Sequence, residues 1–489
     1  VSAQAVVIGA GMGGLSAALL LAHQGLEVTV LELGAEVGGK AGAVVLDGVR
    51  CDTGPSVLTM IDVLEDLFAQ VGERVEERLT LRRLLPAFRY LYPDGTALDI
   101  HHELEATLES VRATLGAPEA LALERFLVYA GKIWEASAPP FVYAEAPSAG
   151  RLARLDWKTL AGMRHIDALS KMWGAICARV DSTHLRWLLA RYATYNGSDV
   201  RRCPATLNCI AYVELARGGW GVQGGMFEIG AALAAAAQAR GARVLLNRRV
   251  ERILVRQGRV EGVVADGERV EADLVVCNAD ARHLALDLLE GSSPDKYEPS
   301  MSGWTGIYAA SRGAAGAGAA HTVLFPQDYL EEFADIFDRG RAPRDPTLYA
   351  CNQRLAHGVA GWASEDPLFV MCNSPARQDD AAGPDEALEA ARAGFQARLE
   401  GAGLLAAGDA LRWERRPAEL AARFPGSQGS IYGSSSNSMF AAFQRPANRS
   451  PRARGLYLAS GSAHPGGGVP LCLLSGRAAA RAALEDLPR

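Results

Sequence analysis

Short apolar runs at the front of the chain lead through glycine into longer ones. Ala5-Val6-Val7-Ile8 reads as a strand, Gly9 to Gly14 as a turn, and the stretch from Leu15 onward as an apolar helix. A second strand, Val28 to Leu31, ends at Glu32. Ala43 to Arg50 forms a hairpin about Asp47-Gly48, and Asp52 to Ser56 is a turn before a helix from about Met60 to Val71. From Leu79 the pattern changes. Phe88 to Tyr92 and Thr96 to Ile100 alternate around Pro93-Asp94-Gly95, as a hairpin does. Helical spacing follows at Leu104, Leu108, Val111 and Leu115, then over 121–136, 158–173 and 184–195.

The earlier style returns near residue 217. Gly224-Gly225-Met226 opens a helix that Gly241 closes, Val244 to Leu246 is a strand, and Val250 to Val255, Arg259 to Ala265 and Leu274 to Cys277 are further strands. The last of these runs into the polar turn Asn278-Ala279-Asp280. Residues 303–308 and 368–372 are strands of another region, and 313–320 is a low-complexity loop of glycine and alanine. Near the end, Gly455 to Gly461 reads as a strand, His464 to Pro470 as a glycine-rich loop, and the rest as a closing helix with Pro470 in its first turn. The pattern predicts an α/β domain built from 1–78, 217–295 and 421–489, interleaved with an α+β cap from 79–216 and 296–420.

The first stretch also carries chemistry. Gly9, Gly11 and Gly14 complete G-x-G-x-x-G, in which the glycines permit a tight turn, a close backbone approach to a pyrophosphate, and helix-on-strand packing. Glu32 stands where a carboxylate accepts from ribose hydroxyls. Gly38-Gly39-Lys40 follows in the next loop, and Lys40 is placed to approach phosphates. The glycines before Pro470 leave a helix N-terminus uncovered, whose partial positive charge suits an anionic ring such as a reduced flavin.

Bulk properties narrow the partners. A net charge of -6 from nearly balanced acids and bases gives no sign of nucleic-acid binding. The eight cysteines form no C-x-x-C pair, which predicts a reduced cytoplasmic setting and no metal; Cys203 and Cys209 read as ordinary buried thiols. The apolar N-terminal stretch lacks a basic leader and belongs to the fold rather than to a signal peptide. The most apolar segment, 229–239, is too short to span a bilayer, so membrane contact is expected to be peripheral. Arg151, Leu152, Arg154, Leu155, Trp157 and Lys158 mix basic, apolar and aromatic residues as an interfacial segment does; a solvated helix start is the other reading.

Over essentially its full length the chain resembles the flavin-dependent phytoene desaturase family of carotenoid biosynthesis. The resemblance is carried by Val6 to Gly14, Glu32 with Gly38-Gly39-Lys40, Asp52 to Leu58, and His464 to Pro470. Arg191 to Tyr195, Arg423 to Ser427 and Ile431-Tyr432-Gly433 draw it nearest to the hydroxycarotenoid 3,4-desaturases, also called methoxyneurosporene or hydroxyneurosporene dehydrogenases. The resemblance implies a Rossmann-like FAD-binding domain of the flavin amine oxidase type with an interleaved substrate domain. By it, Gly9, Gly11, Gly14, Glu32, Gly39 and Lys40 hold the ADP half of FAD, and Val250 lies at the adenine. Gly54, Pro55, Gly461, Gly468 and Val469 lie along the flavin. An acid usually follows the glycine corresponding to Gly461, and here Ser462 stands there.

The implied reaction is 3,4-desaturation of an acyclic or monocyclic 1-hydroxycarotenoid, with hydride transfer to flavin N5 and reoxidation by oxygen, quinone or another acceptor. Positive charge spread along a polyene acidifies the adjacent C–H, so a strong dedicated base is unnecessary. His464 is the one histidine within a cofactor-associated motif, as base or as a residue ordering the loop. Arg191, Tyr192 and Tyr195 either place the substrate hydroxyl or occupy a solvent-facing helix surface. Three alternatives share the architecture: an amine or protoporphyrinogen oxidase, a redox-neutral carotenoid isomerase, and a prenyl-binding escort protein without catalytic flavin.

Overall fold

The computed structural model describes residues 3–147, 150, 156–294, 297–315, 318–376 and 386–487. Five strands make a wholly parallel sheet in the order Leu456–Leu458, Leu274–Cys277, Gln4–Ile8, Glu27–Leu31, Arg243–Leu245. Its central strands are apolar almost throughout because both faces are covered. Ala5, Val7, Val28, Val30, Leu274 and Val276 face the helices Met12–His23, Ile61–Ala69, Phe227–Gln238 and Val469–Asp486. Val6, Ile8, Leu31, Val275 and Cys277 face a three-stranded antiparallel sheet of Val250–Arg256, Arg259–Ala265 and Glu268–Glu271. From the first strand the chain turns one way to Glu27–Leu31, and Leu274–Cys277 lies on the other side. Such a reversal opens a crevice at the carboxyl ends of the strands, where ligands of open α/β sheets bind.

The first and last helices cross at contact distance. A Cβ on Gly476 would lie 2.1 Å from the Gly13 carbonyl oxygen. The Ser16 hydroxyl donates to the Leu473 carbonyl at 2.9 Å. The two ends of the polypeptide are thereby one packing unit.

The second sheet has seven strands in the order Ala410–Arg415, Ser302–Ser311, Glu365–Ser374, Leu348–Asn352, His321–Leu324, Phe88–Leu91, Ala97–Ile100. All its pairings are antiparallel except that of Phe88–Leu91 with His321–Leu324. Residues before 101 and after 301 thus share one sheet, and alternation gives it two different faces. Leu324, Leu348, Ala350, Leu368 and Val370 pack on the helices Glu386–Arg392 and Phe395–Gly401. Phe88, Tyr90, Val323, Cys351 and Phe369 pack against helices of the 104–215 region.

Several elements differ from their expected bounds. The helix expected over 158–173 is instead Trp157–Gly162, a single turn Met163–His165, and Met172–Cys177. Asp167 interrupts it, taking a left-handed conformation (φ 50) while accepting a 2.5 Å bond from the Tyr129 hydroxyl. The helix expected to reach Tyr195 ends at Ala190 and tightens into a 3-10 turn over Arg191–Asn196, closed by left-handed Gly197. The last strand is shorter than expected, Leu456–Leu458. Of the interfacial segment, Arg151, Leu152, Arg154 and Leu155 lie outside the described residues, whereas Trp157 is exposed. Among the described residues no helix is long and apolar enough to cross a membrane, and no group of His, Cys, Asp or Glu could hold a metal. All eight cysteines are free thiols, and Cys203 sits 3.7 Å from the Met172 sulfur.

Crowding at the helix crossing predicts that Gly476→Ala destabilises the fold by about 1–3 kcal/mol. Gly174→Ala, at a helical site with nothing within 4 Å, should leave stability unchanged or raise it. Urea unfolding of the two variants checks this.

Candidate functional site

The glycine turn is shaped by what packs against it. Met12–His23 starts from Gly11, whose missing side chain leaves the helix N-terminus without a side-chain cap. The Gly11 amide donates to the Asn278 side-chain oxygen at 2.9 Å, and a Cβ on Gly11 would lie 2.5 Å from that oxygen. A Cβ on Gly14 would meet the Gly9 carbonyl oxygen at 2.2 Å. Glu32 reaches across from the end of the neighbouring strand, accepting from the Ala10 amide at 2.6 Å and the Gly34 amide at 2.7 Å. Gly39 lies against the Gly11 backbone, and the Gly38 amide donates to the Ala10 carbonyl. The Arg248 amide donates to the Glu32 carbonyl, which brings the start of the Val250 strand to the same end of the sheet. The sequence pattern marks Asn278 only as part of a polar turn; its signal as a site residue is its place directly after the strand at the crevice.

Lys40 follows in the next loop. Its ammonium is buried and donates to the carbonyls of Ser430 (2.8 Å) and Ile431 (3.1 Å), and burial lowers its pKa while Asp280 opposes. These partners tie the loop after Glu32 to the C-terminal block and use two of the ammonium's three N–H groups.

The C-terminal block supplies a second uncapped helix. Val469–Asp486 begins after Gly468 with no side-chain cap, no acid in its first turn and a proline there. Gly467 packs on Tyr432, and Gly461 packs on Gly467 and the Cys472 sulfur. Beneath the loop, Arg445 is buried, donates to the carbonyls of Ser434, Tyr432 and Gly461, and has its pKa lowered to about 10 by burial. Ser462 accepts from the Ala281 amide at 2.8 Å, fastening this loop to the turn after Asn278. Nε2 of His464 lies 3.0 Å from the Ala144 carbonyl, its own carbonyl accepts from Asn448, and its amide donates to Pro446. These contacts tie His464 into the loop.

Asp52 to Ser56 form the floor between these halves. Gly54 packs on the Lys40 carbonyl, with Pro55 following. Asp52 is buried and caps Phe227–Gln238, accepting from the amides of Met226 (2.6 Å) and Phe227 (3.2 Å). The Gln353 amide bonds both the N–H (2.8 Å) and C=O (2.9 Å) of Asp52, linking the floor to the seven-stranded sheet.

Above the floor stands the aromatic face of that sheet. Tyr349 bonds His321 at 2.8 Å, and the His321 ring lies tilted against Phe88 with centres 4.8 Å apart. Burial, then neighbouring Cys351, push up the Tyr349 phenol, while the Ser56 hydroxyl and Arg191 act in the opposite sense. Arg191 is buried, with its guanidinium 4.9 Å from the Tyr195 ring, 5.0 Å from Phe88 and 5.3 Å from Tyr90. It donates to the Tyr195 hydroxyl at 3.0 and 3.2 Å. Tyr195 donates to Glu214 at 2.6 Å, and Tyr192 donates to the other Glu214 oxygen at 2.9 Å. The solvent-facing reading of Arg191 and Tyr192 is therefore overturned. Glu214 was missed because it is one acid on a short helix, Cys209–Leu215; only the fold aims it inward. Burial raises the Glu214 pKa and Arg191 opposes this, so the charges compensate through Tyr195.

Two uncapped helix N-termini and a glycine turn in which Gly11 and Gly14 admit no Cβ suit a dinucleotide with an anionic middle, and FAD fits them. Residues 12–311 match the family described as flavin containing amine oxidoreductase. The chain is 38% identical to a hydroxyneurosporene desaturase of Rhodobacter capsulatus, over 98% of this chain and 97% of that protein. It is 34% identical to one of Rubrivivax gelatinosus, over 99% and 93%. Its fold is similar to that of an oxidoreductase from Methanosarcina mazei, with a TM-score of 0.63, 17% identity, and 97% and 99% of the two chains covered.

Burial raises the Asp52 pKa to about 7 from an ordinary 3.8, so the folded protein binds this proton more tightly than the unfolded chain. The resulting stability is full below the unfolded value and is lost as pH rises through about 7. Relative to Asp52→Asn, wild-type stability should therefore fall between pH 4 and pH 8, as measured by denaturant unfolding at each pH.

Proposed function

Because the chain belongs to the flavin containing amine oxidoreductase family and, within it, to the carotenoid desaturases, we propose that this FAD-dependent oxidoreductase introduces the 3,4 double bond into acyclic or monocyclic 1-hydroxycarotenoids. The observation that carries this reading is the buried aromatic face of the seven-stranded sheet, which combines an apolar lining with one buried cation, Arg191. A long apolar chain bearing one oxygen fits that chemistry, and the similarity to hydroxyneurosporene desaturases supports it.

FAD, when bound, supplies a two-electron acceptor that takes a hydride from one substrate carbon. The protein's part is to hold and to orient. Gly9, Gly11, Gly14, Glu32 and Gly39 cradle the ADP half, with Val250 near the adenine. Gly54, Pro55, Gly461, Gly468 and Val469 surround the flavin end, where the N-terminus of Val469–Asp486 favours negative charge. The aromatic face positions the polyene and excludes water. The second hydrogen leaves as a proton from the carbon adjacent to a delocalised cation, and no dedicated base is assigned. Arg191, Tyr192 and Tyr195, bridged by Glu214, make the polar end of that face, where the substrate oxygen comes to lie. The substrate resides in lipid, so the protein docks peripherally on a membrane, and oxygen or a quinone reoxidises it.

Incubating the FAD-loaded protein with acyclic carotenoids, with and without a 1-hydroxyl group, tests this reading. Products from the hydroxylated compounds should absorb at longer wavelength and have lost two hydrogens. A product of unchanged mass would mean isomerisation, and turnover of amines alone would mean an amine oxidase.

A further inference from the structure

Three polar groups near Arg191 are buried without a hydrogen-bond partner: the hydroxyls of Tyr90 and Tyr329 and Nε2 of His321. Tyr90 and His321 belong to paired strands whose register sets His321 opposite Phe88 and Val323 opposite Tyr90, so both side chains stand on the aromatic face. Tyr329 joins them through Phe325, whose ring centre is 5.9 Å from that of Tyr90 and 4.9 Å from that of Tyr329. The charge of Arg191 reaches all three groups.

Tyr192 and Arg191 act on the Tyr90 hydroxyl, but at a geometry short of a formed hydrogen bond. Tyr192 and Tyr195 give their protons to Glu214, and Tyr349 occupies only Nδ1 of His321. Buried polar groups in folded proteins are overwhelmingly paired, and each exception asks for a ligand or a function. Phe88, Phe325, Phe333 and Trp187 enclose the cluster in apolar surface. The missing partner is then an oxygen carried on an otherwise apolar molecule.

We propose that Tyr90, with His321 and Tyr329, forms an oxygen-binding pole that selects carotenoids bearing a hydroxyl, while Arg191, Tyr195 and Glu214 hold that pole in place. The proposal rests on the desaturase reading and adds residues that determine its specificity. Burial holds His321 neutral, so it meets the substrate as a hydrogen-bonding group rather than a charge. Tyr90 is the main donor, its hydroxyl close to Tyr192 and Arg191 yet without a formed hydrogen bond. Tyr195 is a positioning residue, since its proton is committed to Glu214.

The test compares wild type with Tyr90→Phe, both loaded with FAD. Binding of 1-hydroxylated and non-hydroxylated acyclic carotenoids is read from the shift of the carotenoid absorption band under anaerobic conditions with the flavin prereduced, and kcat/KM is measured separately. Tyr90→Phe should weaken binding of the hydroxylated compound about tenfold and leave the other unchanged. Its thermal midpoint should stay level or rise, because the removed hydroxyl had no partner. His321→Phe should reduce discrimination in the same direction. Equal losses for both carotenoids, or a lowered midpoint with discrimination intact, would overturn the pole. Wild type that handles both carotenoids alike would also overturn it while leaving the desaturase reading standing. Wild type that desaturates neither would reject that reading, and the binding ratio would still decide the pole.

Discussion

Everything in the site depends on how closely the backbone of the first helix approaches that of the last. Gly13 and Gly476 touch where any side chain would intrude, and the Ser16 hydroxyl adds a bond from helix to helix. That contact holds two helices side by side whose N-termini both lack a side-chain cap. Each N-terminus carries a partial positive charge and unpaired amides. One alone is a common anion site. Two, joined through Asn278, Ala281 and Ser462 at the carboxyl edge of one sheet, suit a ligand with negative character at separated points.

The seven-stranded sheet meets this edge through Gln353 and Asp52. Its alternation separates two jobs. One face closes a core of its own with two helices, and the other turns aromatic rings toward the floor at Ser56. A buried cation and a buried carboxylate are costly in such surroundings, and neither touches the other directly. They are balanced through phenol hydroxyls, which fixes the rings around Arg191 as firmly as packing alone would.

The glycine turn, Glu32 and the proline-started closing helix were legible in the sequence because each is a local device. A turn needs its glycines in order, a strand end needs its acid, and a helix start tolerates proline. What escaped was non-local. Glu214 resembles a surface acid until the fold turns its helix inward, and the carbonyl partners of Lys40 and His464 lie hundreds of residues away in the chain. The expected helix over 158–173 failed for a tertiary reason, since the Tyr129 bond to Asp167 stabilises a break that periodicity does not register. The order of the seven-stranded sheet, with partners more than 200 residues apart, left no trace in any single stretch.

The most direct measurement is amide hydrogen exchange on the FAD-loaded and the FAD-stripped protein. If one FAD spans both helix N-termini, amides in 10–14 and in 466–472 gain protection together on loading. Protection confined to one of these segments, or falling on neither, would contradict a single site built from both ends of the chain.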